Sequence, residues 1–234
     1  MEGLPIPART EIHVWHRSLA VAAADREGLF ELLDSEERRR AGRFRFENGR
    51  DAFIASHGWL RMLLGRYLGT DPRSLEFTLG NRGKPALRNT ALRFNLSHSG
   101  TMAACAVTLD KEIGIDIELI RPMSDLESVA QRFFHTEECR TLLALREEDR
   151  ETAFFHCWTR KEAYIKALGD GLYAPLDRFQ VTLAPGQPAA FVQIDGRPAA
   201  AEWSLFGLDV GPSYAGAVAI RGNDWVVRML GAGG

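Results

Sequence analysis

Apolar and polar positions alternate from Glu11 to Trp15, which predicts a strand, and the period then lengthens to helical spacing. The spacing predicts a helix over Leu29 to Phe46, capped at Asp34 or Ser35 and rich in arginine, then a longer one over Asp51 to Leu68. Phe53, Ile54, Trp59, Leu60, Leu63, Leu64 and Tyr67 form the apolar side of that second helix, which stops at Gly69. Asp71-Pro72 opens a further short element, and a strand at Leu75 to Leu79 leads into a turn over Gly80 to Pro85. Leu92, Phe94 and Leu96 alternate with polar neighbours. Ser97 to Gly100 reads as a turn before a strand of small residues, Met102 to Leu109.

After a break at Asp110-Lys111, the run GIDIE, Gly114 to Glu118, predicts another strand. Helices are expected over Ser124 to Phe134, Thr136 to Leu145 and Glu151 to Leu168. Short strands follow at Phe179–Leu183, Ala190–Ile194, Ala201–Phe206, Tyr214–Ile220 and Trp225–Leu230. Each half thus opens on strand material, carries long helices and closes on strands, although no internal sequence repeat is visible. The pattern implies an α+β fold of two similar lobes, 1–110 and 111–234, joined near Asp110 with a natural ligand cleft between them.

Composition narrows the class without naming it. With 45% hydrophobic and 26% charged residues the chain has the balance of an ordinary soluble globular protein. No apolar run approaches the roughly 18 residues of a membrane helix. The start, MEGLPIPARTEIHVW, has neither a basic n-region nor an apolar h-region, so a cytoplasmic protein without a secretory signal is expected. Cys105, Cys139 and Cys157 form no Cys-x-x-Cys pair, which argues against a disulfide framework or a zinc site. A net charge of -2 predicts no general affinity for nucleic acid.

The candidate chemistry lies in four places. In the GIDIE strand, Asp116 and Glu118 share one face about 7 Å apart, able to converge on Mg²⁺ or Mn²⁺, with Gly114 leaving room beside them. The competing reading is a half-buried strand with its acids in water, although aspartate is disfavoured in strands. In the following long helix, Glu162 and Lys166 are four apart and share a face, while Lys161 lies about 100° around. A surface ion pair is the plain alternative. The segment Asn95 to Gly100 offers Ser97, Ser99 and His98 at one strand end, suited to a phosphate or a base; His98 could equally be a structural hydrogen-bonder. No Gly-x-Ser-x-Gly elbow supports a Ser–His nucleophile. Lys84 sits in the turn NRGKP, and Arg38, Arg39, Arg40, Arg43, Arg45 and Arg50 make the strong basic cluster, which either solvates a helix or grips a terminal phosphate or acidic partner. Three acids for a hard metal and two lysines for the phosphates it would hold are equipment for handling a pyrophosphate.

GIDIE followed by WTRKEAYIKALGDGL, Trp158 to Leu172, resembles the paired signature of 4'-phosphopantetheinyl transferases. The upstream NRGKPAL and FNLSHSG and the downstream LDRFQV are similar to the surfactin-synthetase-activating (Sfp) type, over roughly Arg38 to Val181. The resemblance implies a pseudo-twofold α+β monomer with its active site between the lobes. The N-terminal lobe, 1–110, would carry the coenzyme A nucleotide contacts, and the C-terminal lobe, 111–234, the metal site and catalytic helix. It implies transfer of 4'-phosphopantetheine from coenzyme A to a serine of an apo acyl- or peptidyl-carrier protein, with release of adenosine 3',5'-bisphosphate. Asp116, Glu118 and Glu162 would be ligands to Mg²⁺ or Mn²⁺. Lys166 would neutralise the pyrophosphate, and Lys161 would sit near the nucleotide. Lys84, Ser97 and His98 match coenzyme A contacts, His98 near the 3'-phosphate, and Arg50 matches a further phosphate-binding arginine. Met123, Leu126 and Phe134 are expected either to dock the carrier or to be core. A coenzyme A binder without turnover and an unrelated nucleotide hydrolase are the competing functions; no Walker-type loop supports the latter.

Overall fold

The computed structural model describes residues 3–80, 83–169, 175–198 and 202–231. Asn81, Arg82, Asp170, Gly171, Leu172 and Ala201, which belong to motifs or strands named above, lie outside the described residues. Strand β1 (Glu11–Ser18) leads into helices α1 (Ala23–Glu31), α2 (Ser35–Ala41) and α3 (Glu47–Leu68). A 3-10 turn at Pro72–Ser74, a hairpin of β2 (Phe77–Leu79) and β3 (Pro85–Leu87), and strands β4 (Leu92–Ser99) and β5 (Met102–Leu109) follow. The order then repeats. Strand β6 (Ile113–Leu119) precedes α4 (Leu126–Phe133), α5 (Thr136–Ala144) and α6 (Glu147–Leu168), a 3-10 turn at Leu176–Arg178, the pair β7 (Phe179–Val181) and β8 (Phe191–Ile194), and strands β9 (Trp203–Gly207) and β10 (Tyr214–Arg221).

The sheets carry the same repeat. β5 lies between β1 and β4, and β10 lies between β6 and β9, all antiparallel. Strand β11 (Val226–Leu230) stands outside the repeat and runs parallel to β1 at its free edge. Trp15 faces Cys105 across the first sheet as Asp116 faces Ala217 across the second. The molecule is a pseudo-twofold α+β structure. Alternation along the strands gives each sheet one face for its own helices and one for its neighbour. Ile12, Val14, Ala104 and Ala106 from one sheet meet Ile113, Ile115, Ile117, Val218 and Ile220 from the other in a shared core.

Each half is fastened by a fully buried cation on its long helix. Arg61 of α3 donates to Glu37 Oε2 at 2.6 Å, to Asp34 Oδ2 at 2.5 Å and to the carbonyls of Pro72 and Leu75. Lys161 of α6 donates to Glu138 Oε2 at 2.8 Å and to the carbonyls of Leu176 and Phe179. Glu37 and Glu138 stand at matching places, each accepting the backbone N–H three residues earlier at the start of a middle helix. One cation therefore ties the middle helix to the chain beyond the long helix. Both long helices end on a left-handed glycine, Gly69 and Gly169, where a side chain would be strained.

Several boundaries differ from expectation. The helix expected over Leu29 to Phe46 is two helices, because Asp34 caps α2 and leaves Leu29 in α1, and residues 42–46 are not helical. Ser97 and His98 belong to β4 rather than to a turn, since the ladder with β5 continues to Ser99–Met102. α3 and α6 each begin one turn earlier than the apolar spacing indicates, on acidic residues that favour a helix N-terminus. Leu126 and Phe134 are core, Phe134 stacked on Phe154, so of the three apolar residues after GIDIE only Met123 is partly exposed.

Candidate active site

The site begins with a missing side chain. A Cβ at Gly114 would lie 2.0 Å from the Ala163 carbonyl oxygen and 2.3 Å from the Ala167 amide nitrogen. Gly114, Ala163 and Ala167 thus let α6 press directly on β6, which brings Glu162 and Lys166 against the acids of the strand. Lys166 Nζ donates to Asp116 Oδ1 at 2.6 Å and to Ser97 Oγ at 3.1 Å, and Ser97 Oγ donates to the same carboxylate oxygen at 2.9 Å. Ser99 Oγ donates to Glu118 Oε2 at 2.6 Å.

Asp116 is 4% exposed, and both Asp116 Oδ2 and Glu162 Oε1 are buried with no hydrogen-bond partner. Such orphaned carboxylate oxygens are costly unless something neutralises them. All three carboxyls are held above their ordinary values. For Asp116 burial is the main cause, opposed by Lys166 and Ser97. For Glu118 burial acts first and Ser99 opposes it, while Asp116 adds repulsion. For Glu162 burial is followed by repulsion from Asp116, with Lys166 opposing and Glu118 adding to the rise. Mutually repelling oxygens are the donor set a hard divalent cation prefers. Among the described residues, no group of three or more His, Cys, Asp or Glu side chains is placed so that it could hold a metal ion as it stands.

Strand β6 is braced from the other half. β4 and β6 do not pair by backbone; side chains of β4 span the gap instead. Asn95 Oδ1 accepts the Ile115 amide at 2.9 Å, Ser97 Oγ the Ile117 amide at 3.3 Å and Ser99 Oγ the Leu119 amide at 3.1 Å. Tyr214 Oη accepts the Thr101 amide at 3.2 Å and so pins the turn beyond β4 to β10. Sequence reasoning missed Asn95 and Tyr214 and assigned Ser99 no partner. The alternation of polar residues in NLSHS was the available signal, and only the edge of β6 gives it meaning.

The remaining candidates are distributed unevenly. His98 is exposed on β4, and it is held below the ordinary imidazole value first by desolvation and then by its charge interactions with His57 and Lys166. His57 of α3 was not singled out by the sequence; it stacks on Phe53 and lies 3.1 Å from Glu37 Oε1. Lys84 Nζ donates to Glu112 Oε2 at 2.6 Å and to the Ile113 carbonyl at 2.9 Å, tying the β2–β3 hairpin to the start of β6. It also lines a cavity of about 190 Å³ with Pro85, Phe94 and Gly169. Burial holds Lys84 below its ordinary value, against the pull of Glu112. Arg50 is exposed and lines an open cleft between α1 and α3 with Arg26 and Glu47, so it is not grouped with the acids.

Lys161 requires a correction. It is 0% exposed, and the three protons of its ammonium are matched by Glu138 and the two carbonyls. Its position about 100° around α6 from Glu162 turns it into the core, away from the cleft, so no donor remains for a nucleotide.

The fold is built twice from one α+β unit and gathers carboxylates and a lysine where β6 meets α6. The model of the 4'-phosphopantetheinyl transferase superfamily matches residues 112–219, and that of the 4'-phosphopantetheinyl transferase N-terminal region matches residues 22–110. The chain is 42% identical over 219 residues to the 4'-phosphopantetheinyl transferase HetI of Nostoc sp., covering 92% of this chain and 90% of that protein. It is 34% identical over 160 residues to the 4'-phosphopantetheinyl transferase Sfp of Bacillus subtilis, covering 68% and 70%. A Chronobacterium ammoniagenes ACPS–CoA complex is similar over 47% of this chain and 96% of its own, at 21% identity and a TM-score of 0.36. The chain belongs to the 4'-phosphopantetheinyl transferase family, of Sfp type, and is a transferase.

Proposed function

We propose that this enzyme transfers 4'-phosphopantetheine from coenzyme A to a serine of an apo carrier protein and releases adenosine 3',5'-bisphosphate. The observation that carries this reading is the pair of buried, unpartnered oxygens, Asp116 Oδ2 and Glu162 Oε1, beside the Lys166 ammonium. Asp116, Glu118 and Glu162 would hold Mg²⁺ or Mn²⁺, all-oxygen donors suiting either ion. A divalent cation there supplies positive charge to the pyrophosphate oxygens of the substrate.

The chain's own residues account for the rest. Lys166 adds a second positive charge against the pyrophosphate, and Ser97 orients it by holding both Lys166 and Asp116. His98 and Lys84 contact the nucleotide end, His98 taking up a proton as it meets the 3'-phosphate. Glu162, held above its ordinary value by burial and by repulsion from Asp116, accepts the proton of the incoming serine. The serine oxygen forms its bond to the β-phosphorus, the bond from that phosphorus to the bridging oxygen breaks, and the bisphosphate leaves. The nucleophile comes from the partner, so this chain needs no activated serine or cysteine of its own.

The lobes we assign are 1–110 and 111–234, in a monomer. No described helix is long and apolar enough to cross a membrane. We assign the enzyme to the cytoplasm, acting on carriers of fatty-acid, polyketide or peptide assembly rather than on nucleic acid or a membrane. Incubation with coenzyme A, Mg²⁺ and apo carrier domains should add one phosphopantetheine to the intact carrier mass, and EDTA or Asp116→Ala should abolish the gain. A carrier modified at the normal rate by Asp116→Ala would remove the metal assignment.

A further inference from the structure

We infer that Ser99 is a positioning residue: from the opposite half of the molecule it fixes the orientation of Glu118 at the metal-binding acids. The inference rests on the metal reading above. Ser99 Oγ makes two contacts with fixed directions, donating its proton to Glu118 Oε2 at 2.6 Å and accepting the Leu119 amide at 3.1 Å. The hydroxyl proton is therefore committed to the carboxylate, because the amide already points its own hydrogen at the oxygen. Glu118 consequently has one oxygen held by a neutral donor, and the orientation of its carboxylate follows the backbone of β4.

The same arrangement occurs one rung earlier with Ser97, Asp116 and the Ile117 amide, so β4 presents hydroxyls to consecutive acids of β6. The rung before that, Asn95 with the Ile115 amide, has the bridge without an acid, because Gly114 stands at that place on β6. The ladder thus contains its own control: Asn95 joins the halves, whereas Ser99 joins them and aims a ligand. A hydrogen-bonded partner behind a ligating carboxylate fixes its orientation and its basicity. Ser97 cannot separate these roles, since it also touches Lys166.

The test is calorimetric titration of Mn²⁺ into coenzyme A-free enzyme, with amide hydrogen exchange at Ile115 and Leu119 read on the same proteins. Ser99→Ala should weaken Mn²⁺ binding by about 10- to 100-fold and speed exchange at Leu119. Ser99→Thr, which keeps the hydroxyl, should restore both. Asn95→Ala should speed exchange at Ile115 and leave the Mn²⁺ affinity at the wild-type value. Should Ser99→Ala not fold, Ser99→Cys, a weaker donor, is read in its place. Wild-type Mn²⁺ affinity in Ser99→Ala, or equal weakening in Asn95→Ala, would overturn the inference. If Asp116→Ala binds Mn²⁺ as the wild type does, the metal reading itself fails. Ser99 is then judged on turnover: a lower kcat with an unchanged KM for coenzyme A supports positioning, and an unchanged kcat refutes it.

Discussion

The two halves of this enzyme share a frame and differ in what fills the contact between first strand and long helix. In the second half that contact holds Gly114, Asp116 and Ala167, small residues around a carboxylate. In the first half the register puts His13 and Trp15 at the matching places on β1, with Tyr67 of α3 beside them. Trp15 Nε1 donates to Tyr67 Oη at 2.8 Å, and Tyr67 Oη lies 2.7 Å from His13 Nδ1. Burial holds the Tyr67 hydroxyl well above its ordinary value and His13 below it, so this cluster stays neutral. One frame thus supports a sealed aromatic plug in one half and a charged site in the other. The size of the residues at the strand–helix contact decides which: aromatic rings hold β1 and α3 apart and fill the space, whereas a glycine and two alanines let α6 close on β6 and bring its charged side chains against the acids.

The largest expected effect lies in the cations that fasten the halves. Lys161→Met leaves Glu138 buried without its charge partner and should cost about 3–5 kcal/mol in a denaturant titration. Lys161→Arg should recover part of that loss, since the matching place in the first half already holds Arg61. Per folded molecule, KM for coenzyme A should be unchanged in Lys161→Arg; a raised KM would return Lys161 to the nucleotide site.

Next is Gly114→Ala, whose Cβ meets backbone atoms rather than a yielding side chain. Overpacking of this kind costs about 1–3 kcal/mol, and α6 must retreat, so turnover should fall more steeply than stability. Turnover that merely tracks the folded fraction would show that the close approach is structural only. Trp15→Phe, in the plug, should have the opposite character. It removes one hydrogen bond, about 1 kcal/mol, and should leave the transfer rate of the folded enzyme at the wild-type value.

The smallest effect concerns acid stability. Burial acts to raise Glu37, but His57, Arg61 and the Asp34 amide outweigh it, and the carboxyl is held below its ordinary 4.5. Its stabilising contribution is therefore complete above that ordinary value and is lost as pH falls through the lowered one. Melting temperatures measured from about pH 6 down to pH 3 should show a shallower acid limb for Glu37→Gln than for wild type. Parallel limbs would mean that Glu37 is not held below its ordinary value.

Much of this was legible in the sequence because it is local. The 3.6-residue period marked α3 and α6, the glycines marked their ends, and alternation placed Asp116 and Glu118 on one face of β6. Lys161 was misplaced because neighbouring residues on a helix diverge by about 100°, and whether that turn leads to core or cleft depends on Glu138 and Leu176, distant in sequence. Ser99 had no legible partner because the edge of β6 it meets is brought alongside only when the two sheets pack. The duplication was legible as a repeated order of strands and helices but not as repeated residues, since the halves preserve burial and turns while replacing the residues at the strand–helix contact.

The sequence by itself determined the acids that share a face of β6, the lysine one turn from Glu162 and the order of strands and helices, because spacing along a strand or helix is set by backbone geometry alone. Only the tertiary structure decided which lysine is core and which serine meets which carboxylate. Those outcomes depend on how closely β6 approaches α6 and β4, and that distance is set by side-chain volumes contributed from three separate segments of the chain.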